Sequence, residues 1–151
     1  MGIQFSVGHG FRHGLFDFAL RLHPDRLFPS DPGQRAIARE LHAQVARLPI
    51  VSPHGHTDPA WFATNAPFTN ATDLLLVPDH YLFRMLYSQG MALEDVGVGG
   101  GADPREAWRR LAANYHLFRG TPSRLWLDWV FAEAFGIGVR LDAGTADHYY
   151  D

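Results

Sequence analysis

Cysteine is absent from all 151 residues. That excludes disulfides, thiolate metal sites and a cysteine nucleophile. It also agrees with a reducing cytoplasm, where this chain is expected to reside. Long apolar runs are absent as well. None approaches the ~18 residues that read as a membrane span, so no membrane partner is expected. The opening stretch, MGIQFSVGHGFRHGLFDFALRL, lacks a continuous apolar run and a small-residue cleavage site, so it does not read as a signal peptide. Residues 1–21 read either as an untidy native start or as a non-native leader. Charge of one sign is not concentrated. With 13 basic and 16 acidic residues and a net charge of −3, no basic stripe points to nucleic acid and no like-charge block points to a disordered tail. No G-x-S-x-G, P-loop or dinucleotide fingerprint occurs. The one glycine run, Gly99 to Gly101, has no strand leading into it and reads as a flexible loop.

What is present is an ordinary globular composition, 46% hydrophobic and 19% charged, in a chain long enough for one domain with a hydrophobic core. Aromatics and histidines are abundant: four Trp, five Tyr, eleven Phe and nine His. They read plainly as a packed aromatic core and, more sharply, as some histidines lining a polar cavity.

The apolar periodicity is helical almost throughout. Asp31 or Ser30 can cap a first helix with Pro32 in its first turn. Ile37, Leu41, Val45 and Leu48 form its apolar stripe, and Pro49 stops it. Ile50, Val51 and Ser52 are short and β-rich, so residues 50–53 are expected to be a buried strand ending at His54-Gly55-His56. Asp58-Pro59 opens a short helix through Trp61 and Phe62. Asn70 or Thr69 can cap one through Leu74, Leu75 and Leu76. Asp79 can cap another with Leu82, Met85 and Leu86 inward and Gly90 past its end. Asp103-Pro104 opens a longer helix with Trp108, Leu111, Tyr115 and Phe118 on one face, stopped by Gly120. Thr121-Pro122 opens a further one with Leu125, Trp126, Trp129 and Val130 inward, stopped by Gly136. Thr145 reads as the cap of a last helix, begun only about two turns before Asp151. One strand cannot make a sheet, so its partners are expected in sequence beyond this chain, or the fragment is all-α.

Three groups can carry chemistry. In an extended strand, residues i and i+2 share a face, so His54 and His56 can give one metal two imidazole nitrogens, with Gly55 leaving room between them. Alone, an H-x-H is equally two exposed loop histidines. Its place at the carboxyl end of a buried strand, where (β/α)8 barrels put their active sites, favours a metal role. Asp58 is nearby but reads as the cap of the next helix. Asp79-His80-Tyr81 offers an acid/base group and a phenol at a helix start, or simply a cap followed by an aromatic pair. Arg84, one turn on from His80, can hold a carboxylate bidentately or pair on the surface.

The order of motifs resembles one family. LHPDRLFP (residues 22–29), LPIVSPHGHTDP (48–59), VPDHYLFRMLYSQG (77–90) and FGI (135–137) look like successive blocks of uronate (glucuronate) isomerase, of the amidohydrolase superfamily. The likeness runs from about Leu22 to Asp151. It implies an α/β fold: a distorted TIM (β/α)8 barrel in the full-length family, of which residues 22–151 would be the N-terminal part, with a helical insertion after strand 1. It implies aldose–ketose isomerisation of hexuronates in uronic acid catabolism, D-glucuronate to D-fructuronate and D-galacturonate to D-tagaturonate. By position, His54 and His56 match the metal pair, with zinc as the usual ion. His80 and Tyr81 match the pair lining the substrate pocket, and Arg84 stands in the same block. The family's metal aspartate and several substrate-binding arginines are expected beyond residue 151, so this chain alone is expected to be inactive. A homo-oligomer is compatible with the family. Two other readings remain: a metal-dependent amidohydrolase-type hydrolase, which shares the H-x-H strand, and a non-catalytic helical interaction module with incidental histidines.

Overall fold

A computed structural model describes residues 19–52, 54–55 and 57–151. Most of the expected leader (residues 1–18 of 1–21), Pro53 at the end of the expected strand and His56, the second expected metal ligand, lie outside the described residues. Among the described residues, regular structure is helical throughout: α1 (Pro32–Val45), α2 (Pro59–Thr64), α3 (His80–Ser88), α4 (Pro104–Ala113), α5 (Pro122–Trp129) and α6 (Ala146–Tyr150). Short π-helical segments, Thr72–Leu76 and Val130–Ala134, and 3₁₀ turns, Glu94–Val96 and Tyr115–Phe118, link them.

The helix starts lie where their capping chemistry places them. Asp31, Asp58, Asp79, Asp103 and Thr121 each accept a hydrogen bond from a backbone N–H in the first turn they precede. Each thereby satisfies one of the donors that a helix N-terminus leaves unpaired. Pro occupies the first turn of α1, α2, α4 and α5, where its missing N–H costs nothing. Thr145 precedes α6 but does not cap it. Its hydroxyl donates to the Arg140 carbonyl at 2.7 Å and accepts from the Asp142 amide at 2.9 Å.

Three expectations need correction, and one apolar stripe goes uncovered. First, residues 50–52 form no strand, and Ile50 and Val51 are 93% and 90% exposed. A strand exists only through hydrogen bonds to a neighbour. Among the described residues the one β-type pairing is an isolated antiparallel bridge between Ala19 and Val139. Secondly, α1 buries no residue, and Ile37, Leu41 and Val45 of its stripe face outward. The helix is held instead through the preceding loop, where Arg39 Nε donates to Asp25 at 2.7 Å and Phe28 meets the His42 ring edge-on. Thirdly, the helix from Pro104 does not run unbroken to Phe118. Asn114 leaves helical geometry, and its side-chain amide donates to the Arg110 carbonyl at 2.8 Å, a local bond that competes with the helix ladder. Trp108, Leu111, Tyr115 and Phe118 are nonetheless all buried, because a 3₁₀ turn carries the same face onward.

Fourthly, α5 turns a different face inward. Leu125, Trp126 and Trp129 are 40%, 51% and 46% exposed, while Leu127 and Phe131 are buried. Residues 127 and 131 are neighbours at i, i+4 on one side of the helix. The stretch is apolar on two sides, so periodicity alone leaves the buried side open.

The core is one cluster. α4 lies at its centre, packed against α6, the π-helical segment Thr72–Leu76 and the turn Glu94–Val96. Trp108 meets Phe131 edge-on at 6.4 Å, and Phe131 meets Tyr149 edge-on at 4.8 Å. Thr72, the buried polar residue of the cluster, donates its hydroxyl to the Pro104 carbonyl at 2.5 Å. That bond ties the π-helical segment to the start of α4.

An ion-pair array holds the outer side of α6. Arg109 pairs with Asp147 and with Glu106, and Arg105 pairs with Asp147 and Asp151. Hydrogen bonds from Arg109 and then Arg105 hold the Asp147 carboxyl below its ordinary range, and that from Arg105 does the same for Asp151. A carboxyl with a depressed folded pKa adds stability above its unfolded value, about 3.9, and loses it as pH falls through the folded value. The α6 contacts are therefore expected to weaken below about pH 4. Amide exchange of residues 146–150 followed from pH 6 to pH 3 checks this. An Asp147→Asn variant should show a flatter acid limb, and an unchanged limb would count against the array.

Candidate functional site

The D-H-Y block is built by the start of α3. The Asp79 carboxylate accepts from the Tyr81 backbone N–H at 2.8 Å, fixing the first turn. Leu82 and Leu86 anchor the helix in the core. His80 and Tyr81 thus stand on a seated helix, with ring centroids 4.2 Å apart and planes tilted by 34°. His80 is half-buried and Tyr81 is 60% exposed. Arg84 is exposed one turn on. Among the described residues no acidic side chain pairs with it, so its guanidinium can meet an anion from outside.

His54 is exposed, and its carbonyl accepts the Ser52 hydroxyl at 2.7 Å. Whether His54 and His56 present their rings to one side concerns His56, which lies outside the described residues. Asp58 accepts from the Ala60 N–H at 2.8 Å and so serves as a helix cap, as its sequence context suggests.

A cavity of about 460 Å³ joins the two motif regions. Thr57, the residue following the H-x-H, lines it together with Asp79 and Tyr81. Most of the remaining wall is apolar: Trp61, Leu74, Leu75, Pro78, Trp126, Val130 and Phe135. Trp61 is steadied by an edge-on contact with Phe68 at 4.9 Å. Thr57, Trp61 and Trp126 were not singled out by sequence as cavity residues. Trp126 read as core, and no spacing rule points to the other two.

The described residues do not fit a metal by themselves. Among them no group of three His, Asp or Glu side chains converges, whereas structural and catalytic zinc sites draw three or four protein ligands. His54 and His56 would supply two at most.

Comparison with known proteins gives a consistent result. The family model described as "UxaC: Glucuronate isomerase" matches residues 33–151. A uronate isomerase of Xanthomonas euvesicatoria pv. vesicatoria is 68% identical over 138 residues, covering 87% of this chain and 29% of its own length. One from Sphingopyxis alaskensis is 70% identical over 133 residues, covering 87% and 28%. The crystal structure of glucuronate isomerase from Caulobacter crescentus matches with a TM-score of 0.84 at 60% identity, over 88% of this chain and 29% of that one. That of uronate isomerase from Thermotoga maritima matches with a TM-score of 0.74 at 26% identity, over 86% and 27%. The chain therefore spans less than a third of the length of these relatives.

Proposed function

The chain belongs to the glucuronate isomerase family, and on that premise we propose that it takes part in aldose–ketose isomerisation of hexuronates, D-glucuronate to D-fructuronate and D-galacturonate to D-tagaturonate. The observation that carries this reading is the cavity shared by Thr57, beside the H-x-H, and by Asp79 and Tyr81 of the D-H-Y block. Two segments over 20 residues apart in sequence border one space, and neither block alone would specify a site. The hydrolase reading shares only the H-x-H, and the interaction-module reading gives the shared cavity no role. Among the described residues no helix is long and apolar enough to cross a membrane, and a cytoplasmic location is part of the proposal. So is the α/β barrel of the full-length family, with this chain as its N-terminal part.

The reaction moves two hydrogens. The C2 proton leaves, the electrons form an ene-diol, and a proton is delivered to C1, while the hydroxyl proton passes from one oxygen to the other. Tyr81, which lines the cavity, and the adjacent His80, whose ring lies 4.2 Å from the phenol ring, are proposed to serve that oxygen-to-oxygen transfer. The phenol can also donate to the developing oxyanion. Arg84, exposed one turn on from His80, is proposed to hold the substrate carboxylate bidentately. His54 and His56 are proposed as two ligands of a divalent ion, zinc by family likeness; when bound it would supply Lewis acidity toward a substrate oxygen.

The test is a coupled assay for ketose formation with added zinc. The 151-residue chain alone is expected to fall below a full-length relative by more than about 10²-fold, since small errors in positioning already cost that much. In a chimera in which this chain replaces the matching part of the Caulobacter crescentus isomerase, turnover should be restored. In that chimera His80→Ala should cost about 10²–10⁴-fold, and Arg84→Ala should raise KM more than it lowers kcat. Unimpaired turnover by the His80→Ala chimera would remove the D-H-Y block from the mechanism.

A further inference from the structure

Among the described residues that line the main cavity, Asp79 is the charged one. It belongs to a continuous part of the wall, since Leu74, Leu75, Pro78, Asp79 and Tyr81 all border the space. Asp79 is also where the backbone changes course. Thr72–Leu76 before it is π-helical and His80–Ser88 after it is α-helical, while Asp79 itself is extended, with φ −96° and ψ 98°. The direction of such a joint depends on where its polar groups are bonded. The Asp79 N–H donates back to the Leu76 carbonyl at 3.3 Å. Its carbonyl accepts from the Leu82 and Phe83 N–H groups at 3.0 and 3.3 Å, and its carboxylate accepts from the Tyr81 N–H at 2.8 Å. The backward bond reaches a segment that Thr72 ties to the start of α4. The forward bonds all close the first turn of α3.

His80 and Tyr81 are the first two residues of that helix, the part that frays when a cap is lost. Leu82 and Leu86 seat the rest of α3 in the core, so its first turn can open while its body stays in place. We propose that Asp79 is a positioning residue for the isomerisation: its carboxylate keeps the first turn of α3 closed, so that the Tyr81 phenol stays in the cavity wall with the His80 ring beside it. The proposal rests on the isomerase reading above. Proton transfer between substrate oxygens tolerates little error in where those two rings stand. Asp103 makes the same kind of bond, to the Glu106 N–H at 3.0 Å, at a turn that carries no residue of the main cavity. It is therefore the control for a cap that merely stabilises a helix.

The experiment is steady-state kinetics on the chimera with the Caulobacter crescentus isomerase, beside amide exchange on the 151-residue chain. In the chimera Asp79→Ala should lower kcat about tenfold or more while KM moves less than about twofold. Asp79→Asn still offers a capping oxygen and should keep kcat within about threefold of the unsubstituted chimera. Asp103→Ala should change kcat by less than about twofold. In the free chain Asp79→Ala should quicken exchange of the Tyr81 amide about tenfold and leave that of Leu86 unchanged. Equal kinetic losses from Asp79→Ala and Asp103→Ala overturn the proposal, because any lost cap would then do as much. An Asp79→Asn chimera as impaired as Asp79→Ala overturns it by giving the charge a direct part in the chemistry. Unchanged exchange at Tyr81 overturns it as well. An unsubstituted chimera without turnover sinks the isomerase reading and the proposal together. An active chimera indifferent to Asp79→Ala sinks the proposal alone.

Discussion

Trp108→Ala is expected to destabilise the chain by about 5 kcal/mol, the upper end for removing a buried aromatic. Trp108 is fully buried at the centre of the core. It presents its ring edge-on to Phe131, and its indole N–H donates to the Ala146 carbonyl at 3.0 Å. Truncation therefore leaves a cavity and also removes the indole donor from a buried carbonyl, a loss of about 1–2 kcal/mol within that figure. Total stability of a domain this size is about 5–15 kcal/mol, so the variant should be near its unfolding midpoint in water. Trp108→Phe separates the two contributions: it keeps much of the ring and loses the donor, and should cost about 2 kcal/mol. Urea unfolding followed by far-ultraviolet circular dichroism measures both. The Ala146 bond lies at the start of α6, so amide protection of residues 146–150 should fall before the global transition. A loss below about 1 kcal/mol for Trp108→Ala would mean that the core is not centred on α4.

How far the sequence reveals this molecule depends on the range of the interaction that decides each feature. Helix starts are decided within four residues. Asp31, Asp58, Asp79, Asp103 and Thr121 were all legible because a side-chain acceptor and the N–H it meets are near neighbours. The buried face of α4 was legible because only one of its sides is apolar: Trp108 and Leu111 point inward, and Arg105 and Arg109 pair outside. The strand at residues 50–53 was not, because β-rich composition states a preference while a strand needs a partner, and residues 50–52 have none here. The buried face of α5 was misjudged for a related reason, and the stripe of α1 goes uncovered. An apolar stripe says that a surface prefers cover, and it does not say that the same chain supplies it.

The site divides in the same way. Asp79, His80, Tyr81 and Arg84 share one helix start, so their mutual placement follows from helix geometry and could be read in advance. The link from that helix to Thr57, Trp61 and Trp126 could not, because it depends on how α2, α3 and α5 meet. The H-x-H spacing fixes only that two imidazoles can share a face.

The second large effect expected is at Asp128. Its carboxylate accepts from the Tyr115 hydroxyl at 2.9 Å and from Arg124 Nε at 2.9 Å. Arg124 in turn donates to the Tyr115 carbonyl at 3.1 Å and lies over the Tyr115 ring, 4.1 Å from its centroid. Both charged side chains are about four-fifths buried. Asp128→Ala therefore leaves a guanidinium in a poorly hydrated position with its counter-charge gone and a phenol without its acceptor. Breaking one partner of such a pair costs about 3 kcal/mol, allowing for the remaining exposure. Tyr115→Phe removes one hydrogen bond and should cost about 1 kcal/mol. The double variant should fall short of the sum, because the two share a bond. Alkaline pH tests the same trio independently. Burial, then the Asp128 charge, pushes the Tyr115 phenol well above its ordinary value. A phenol with a raised folded pKa adds stability that is fully present below its unfolded value, about 10, and lost as pH rises beyond it. Wild-type stability should therefore decline above about pH 10, and Tyr115→Phe should flatten that decline. Urea midpoints collected between pH 7 and pH 11 would show it, and parallel curves for the two proteins would mean that the phenol is hydrated and the trio carries little of the fold.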